Sequence, residues 1–144
     1  MMRISKSGLD LIKQFEGYRR YSYIDIAGVL TIGYGHVVRS KENWNEGISR
    51  ASAEELLKQD ILSSERAVSR LIYVKLLQKQ FDALVSFTYN VGSGALQRST
   101  LRQKLNRGDY FSVPEELLRW VFAGGKKSRG LLRRRIKEAE LYMT

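Results

Sequence analysis

Apolar positions recur with a helical period along most of the chain and switch to a sheet-like rhythm once, between residues 18 and 38. Leu9, Ile12 and Phe15 fall three apart, so residues 5–16 read as a helix with Ser5 or Ser7 as its N-cap and Gly17 as its terminator. Residues 18–38 are rich in aromatic, β-branched and glycine residues, and Ala27-Gly28 is a turn signal between strands at 21–25 and 29–32. A polar stretch, 39–50, reads as loop. The capping-box pattern Ser52-Ala-Glu-Glu55 then opens a long helix to about residue 72, striped by Leu57, Ile61, Val68 and Ile72.

The second half is helical in pattern throughout. Phe81, Leu84, Val85 and Thr88 mark a helix over 79–91 that stops at Gly92-Ser-Gly94, and a short helix follows at 99–106. A second capping box, Ser112-Val-Pro-Glu115, predicts a helix running through Trp120 and Phe122 to Gly124-Gly125. Trp120 shares an apolar face there with Leu117 and Val121 and reads as core. A last helix, 131–143, is expected to turn Leu132, Ile136, Ala139 and Tyr142 or Met143 inward. The fold class this predicts is α+β, a single domain over 1–144. An N-terminal lobe, about 1–60, carries the hairpin 18–38, and a long helix joins it to a helical lobe at about 73–144.

Composition narrows the chemistry. A chain of 144 residues with 43% hydrophobic and 28% charged residues can bury one core. It has no cysteine and one histidine, which excludes disulfides, thiolate catalysis and Cys- or His-rich metal sites, and no cofactor is expected. No signal-peptide pattern and no run of ~20 apolar residues is present. Synthesis in the cytoplasm is therefore the expectation. The net charge of +10 gathers late, at Lys126, Lys127, Arg129, Arg133, Arg134, Arg135 and Lys137, and favours a polyanionic partner as readily as it confers solubility.

Two carboxylates and a hydroxyl carry the candidate chemistry. Eight residues separate Glu16 from Asp25 and five separate Asp25 from Thr31, which opens Thr31-Ile-Gly-Tyr-Gly-His36. Glycosidic cleavage commonly takes one carboxylic acid to protonate the leaving oxygen and one carboxylate to activate water or attack carbon. Glu16 closes the first helix, where the negative end of the helix dipole disfavours a charge. A hairpin folded at Ala27-Gly28 is expected to set Asp25 nearly opposite Thr31, so that the two side chains hold one water.

These residues bring the whole chain, from about 5 to 142, into resemblance with the phage-type lysozymes, or endolysins, of glycoside hydrolase family 24. The motifs that carry it are Phe15-Glu16-Gly17, the Glu16, Asp25 and Thr31 spacing, and Leu30-Thr-Ile-Gly-Tyr-Gly-His36. Phe81-Asp-Ala-Leu-Val-Ser-Phe-Thr-Tyr-Asn-Val-Gly92 and the block from Trp120 to Arg135 extend it. The resemblance implies hydrolysis of the β-1,4 bond between N-acetylmuramic acid and N-acetylglucosamine in peptidoglycan, in a cleft between the lobes. Glu16 would be the general acid and Asp25 with Thr31 would activate water, with inversion at the anomeric carbon. Tyr89, Asn90 and Thr100, and Val37 through its backbone, are the implied substrate-binding residues. His36 and Asp60 are implied as a structural pair that pins sheet to helix, and Arg133 or Arg134 as a partner for Glu16.

The implied partners are peptidoglycan glycan strands, with anionic envelope contact through the basic C-terminal helix, no specific nucleic acid, and a monomeric protein. Without an export signal, access to the wall is expected to need a holin, a membrane pore protein. Two other readings compete: a lytic transglycosylase, which leaves 1,6-anhydro ends without using water, and a non-enzymatic basic module that binds envelope or nucleic acid.

Overall fold

The computed structural model describes residues 1–144, and the chain divides into two compact units. One comprises residues 13–62; the other is assembled from residues 1–12 and 63–144. The division falls inside two helices, α1 (Lys6–Glu16) and α2 (Arg50–Leu71). Both were legible from their apolar stripes.

Unit 13–62 holds the end of α1, the strands β1 (Arg19–Ile24), β2 (Leu30–Gly33) and β3 (His36–Val37), and the first half of α2. The strands form one antiparallel sheet in the order β1-β2-β3. Ile32, Tyr34 and Ile48 are buried with Ala53, Leu57 and Ile61 of α2 and form its small core. Gly33 lets sheet and helix close, since a Cβ there would lie 3.1 Å from that of Ala53. Helix α2 starts at Arg50, two residues before the predicted Ser52 box. Ser49 is the cap, its Oγ accepting the Ser52 amide at 3.1 Å. The Ser52 pattern matched a box three residues inside the true cap, because Ser49 has no acid three residues on to advertise it.

In the other unit, α3 (Gln78–Val91) is buried along every residue from Phe81 to Thr88. Around it lie α4 (Ser93–Arg98), α5 (Thr100–Asn106), α6 (Val113–Leu117) and α7 (Arg129–Met143). The start of α1 is held here by buried carboxylates: Asp82 of α3 accepts the Ser5 amide (2.9 Å) and hydroxyl, and Glu65 of α2 accepts the Ile4 amide (2.6 Å). Gly8 is required at this contact, because a Cβ would lie 2.8 Å from that of Asp82.

Three expectations are corrected in this unit. Helix α4 begins inside the Gly92-Ser-Gly94 break: Gly92, with φ +93°, ends α3 and α4 starts at Ser93. Helix α6 ends at Leu117 and does not continue through Trp120 and Phe122. Instead β4 (Phe122–Ala123) pairs with β5 (Lys126–Lys127), and Gly124 and Gly125 (φ +57° and +78°) make the two-residue turn between them. Such a turn demands left-handed backbone at both positions, as a glycine pair supplies. Ser112 gives no side-chain cap.

Helix α7 starts at Arg129, capped by the Ser128 hydroxyl, and turns a polar face inward. Arg134, Arg135 and Glu138 are buried beside Ala139 and Tyr142, whereas Ile136 and Met143 are exposed. Glu138 accepts a hydrogen bond from Ser86 of α3 (2.6 Å) and one from Arg134 (3.3 Å). Arg135 Nε lies 2.9 Å from its other oxygen, an ion pair whose N–H points off the hydrogen-bond line. Burial pushes the Glu138 carboxyl up and brings the Arg135 guanidinium down to about 10.

Candidate active site

Glu16, Asp25 and Thr31 all belong to unit 13–62. Glu16 is the last residue of α1, half-buried, and its carboxylate rests on the glycine-rich strand end: a Cβ placed on Gly35 would lie 2.8 Å from Glu16 Oε1. Gly35 has φ +78°, a conformation that presents bare backbone to the carboxylate.

Asp25 lies just past the end of β1, in the hairpin turn itself. Its Oδ1 accepts the backbone N–H of Ala27 (2.9 Å) and of Val29 (2.8 Å), so the carboxylate is part of what shapes the turn. The Asp25 amide in turn donates to the Val29 carbonyl (2.9 Å). Thr31 is buried in β2, and its hydroxyl donates to that same Val29 carbonyl (2.9 Å). One peptide neighbour, Val29, therefore tethers both side chains.

The register differs from the expected facing pair. Tyr23 stands opposite Thr31, and Asp25 lies two residues further along, opposite Val29. That makes Asp25 and Thr31 diagonal neighbours on one face of the hairpin. Val37 of β3 pairs with Thr31 on its other side and is half-exposed, so its backbone is adjacent to the same spot.

His36 is buried and bonded at both ring nitrogens. Nδ1 lies 2.8 Å from Asp60 of α2, the partner expected, and Nε2 lies 3.0 Å from Glu42 in the 39–47 loop. Burial pulls the imidazole down, but the hydrogen bonds and charges of Asp60 and Glu42 outweigh it, and its pKa stands above the usual 6.5. Sequence reasoning missed Glu42. It also accepts from the Trp44 indole (2.9 Å) and the Arg39 amide (2.9 Å), and these bonds hold its carboxyl below the ordinary range despite burial. The available signal was the histidine itself: a buried imidazole has two polar nitrogens and needs two partners.

The remaining candidates lie in the other unit. Tyr89 is half-buried near the end of α3; Asn90 is exposed, and its carbonyl oxygen accepts from Arg135. Thr100 is exposed at the start of α5. It lines a depression of about 280 Å³ with Arg98, Ser99, Glu116, Arg119 and Trp120. Trp120 packs edge-on to Phe87, with ring centroids 5.5 Å apart, in keeping with a core role.

No cluster of three or more acidic or histidine side chains is arranged to hold a metal ion, and no helix is long and apolar enough to cross a membrane.

Comparison with known proteins yields consistent matches. A family profile described as phage lysozyme matches residues 13–138. An endolysin of Bacillus phage B103 is 45% identical over 145 residues, covering 99% of this chain and 55% of its own length. The chain thus spans about half the length of that curated relative. Among solved structures, a P22 lysozyme mutant superposes with TM-score 0.92 at 36% identity, covering 100% of both chains. An endolysin from Escherichia coli O157:H7 phage FAHEc1 does so with TM-score 0.89 at 39% identity, covering 99% of this chain and 94% of the other.

Proposed function

The chain belongs to the phage lysozyme family, and from that premise we propose that it is a muramidase that hydrolyses the β-1,4 bond between N-acetylmuramic acid and N-acetylglucosamine in peptidoglycan. The observation that carries this reading is the setting of three side chains in one unit. Glu16 is braced on bare backbone at a helix end, and Asp25 and Thr31 are tied to the backbone of a single residue, Val29, at the hairpin turn.

In this reading Glu16 protonates the leaving glycosidic oxygen. Asp25 retains acceptor capacity beyond its bonds to Ala27 and Val29, and Thr31, whose proton is committed to Val29, presents lone pairs. Together they orient and deprotonate a water on the opposite sugar face. The expected outcome is inversion, which needs carboxyl groups about 6.5–9.5 Å apart to admit that water. Val37, Tyr89, Asn90 and Thr100 contribute substrate contacts, and His36 with Asp60 holds the sheet against α2.

Arg129, Arg133 and Lys137 recur every fourth residue along α7 and are all exposed, a cationic stripe suited to anionic envelope polymer. Monomeric action on the wall after holin-dependent release completes the proposal.

The deciding experiment assays Glu16→Gln on purified peptidoglycan. Hydrolysis predicts near-total loss of turnover with an unchanged melting temperature. A basic binding module predicts intact, salt-sensitive function. Mass spectrometry of the muropeptides excludes the transglycosylase reading if reducing ends form, and proton NMR of the first-formed anomer reports inversion.

A further inference from the structure

Glu16 ends a helix on a side chain with three rotatable bonds, so something outside the helix must fix where its carboxylate sits. The surface beneath it is the segment Tyr34-Gly35-His36, and both flanks of Gly35 are anchored. Tyr34 is buried against the Tyr18 ring (centroids 5.6 Å apart), with the Lys13 ammonium 5.6 Å from its ring centre. Tyr18 is itself tied by its hydroxyl to the Ile48 carbonyl, and His36 is held at both nitrogens by Asp60 and Glu42. Between these anchors, Gly35 presents backbone alone, and the space a Cβ would take is already approached by Glu16: 2.8 Å to Oε1 and 3.7 Å to Cδ.

We infer that Gly35 is a positioning residue for the acid: its missing side chain defines where the Glu16 carboxylate rests. This rests on the reading of Glu16 as general acid. A methyl group at Gly35 would meet the far end of a flexible side chain, and no other atom is as close. The contact is therefore relieved by displacing the carboxylate while the fold stays in place. Catalytic groups misplaced by about 1 Å cost up to about 10²-fold in rate.

The left-handed backbone at Gly35 strains any L-residue, so the test needs a strain control. Gly108 has φ +89° and nothing within 4 Å of the point where a methyl would stand, which makes Gly108→Ala a substitution with the strain and without the contact. Steady-state kinetics on soluble glycan oligomers should show Gly108→Ala within about 2-fold of wild type. Gly35→Ala should lose about 10- to 100-fold in kcat with KM little changed. Should Gly35→Ala not fold, Gly35→Asn carries the same Cβ on a residue that tolerates left-handed backbone, and the same kcat loss is expected.

Glu16→Asp retracts the carboxylate from the contact. Combined with Gly35→Ala, it should give a loss well short of the product of the two single losses, because the groups act on one another. Activity of Gly35→Ala equal to that of Gly108→Ala, or losses that multiply in the double variant, overturns the inference. An active Glu16→Gln overturns the role of Glu16 beneath it.

Discussion

His36→Asn should destabilise the protein in a way that depends on pH, and the structure sets both size and sign. When protonated, the imidazole donates to Asp60 at 2.8 Å and to Glu42 at 3.0 Å, and the ring is only 8% exposed while the acids are about one-fifth exposed. Hydrogen bonds to charged groups are worth roughly 1.5–3 kcal/mol each in buried settings. Asparagine is shorter and can keep at most one of the two, so partial exposure of the acids brings the expected loss to about 2–4 kcal/mol. For a chain of this length that is a fall in Tm of about 5–15 °C.

Because the folded pKa of His36 is raised, its contribution is fully present below the unfolded value of about 6.5 and is lost as pH rises through the folded one. Glu42, lowered, adds stability that is present above its unfolded value and lost as pH falls through its folded one. Thermal melts followed by circular dichroism from pH 5 to 9 should therefore show a wild-type-to-variant gap that is widest on the acid side of neutrality. It should narrow towards the worth of a neutral hydrogen bond, about 1 kcal/mol, at the alkaline end. Turnover measured well below either Tm should stay within a few-fold. A gap that is constant with pH refutes the ion-pair account, and an intact Tm with lost turnover refutes the structural role altogether.

Glu138→Gln should cost about 3–5 kcal/mol in chemical denaturation, because it removes the buried negative charge that faces Arg134 and Arg135 while leaving the Ser86 hydroxyl an oxygen to bond; an unchanged midpoint would show that the charge of Glu138 contributes nothing to stability. Asp25→Asn keeps an oxygen for the Ala27 and Val29 amides, so the melting curve should hardly move while peptidoglycan clearing falls by about 10²-fold or more. A cooperative loss of structure in that variant would instead make Asp25 a turn residue only. Ser49→Ala should cost about 1 kcal/mol and Ser52→Ala nothing measurable, and the reverse order would restore the cap to Ser52.

Periodic burial made α1, the long α2 and α3 readable, because Leu9 and Ile12, Leu57 and Ile61, and Phe81 with Leu84 are apolar where the fold is dry. The same rule misread α7, since it assigns the interior to Leu132 and Ile136 and has no way to register that Arg134 and Arg135 share the buried carboxylate of Glu138. The glycine pair at 124–125 was read as a helix end, yet its left-handed backbone turns a hairpin. A helix end and a two-residue hairpin both use it, and only the pairing of Phe122 with Lys127 decides between them. At the site, Glu16, Asp25 and Thr31 were visible from spacing and family likeness, but the role of Val29 was not. Its contribution is made wholly by its backbone N–H and C=O, which a side-chain code does not record.

The hydrogen bonds that the Ile4 and Ser5 amides donate to Glu65 and Asp82 span 61 and 77 residues of chain. The chain must therefore be made as far as Asp82 before the start of α1 can be secured at both contacts, whereas residues 13–62 find their partners within one another. Loop closure of that length is slow relative to local pairing. The start of α1 should then be slow to lock, and until Asp82 emerges its apolar face at Leu9 and Ile12 stays open to chaperones.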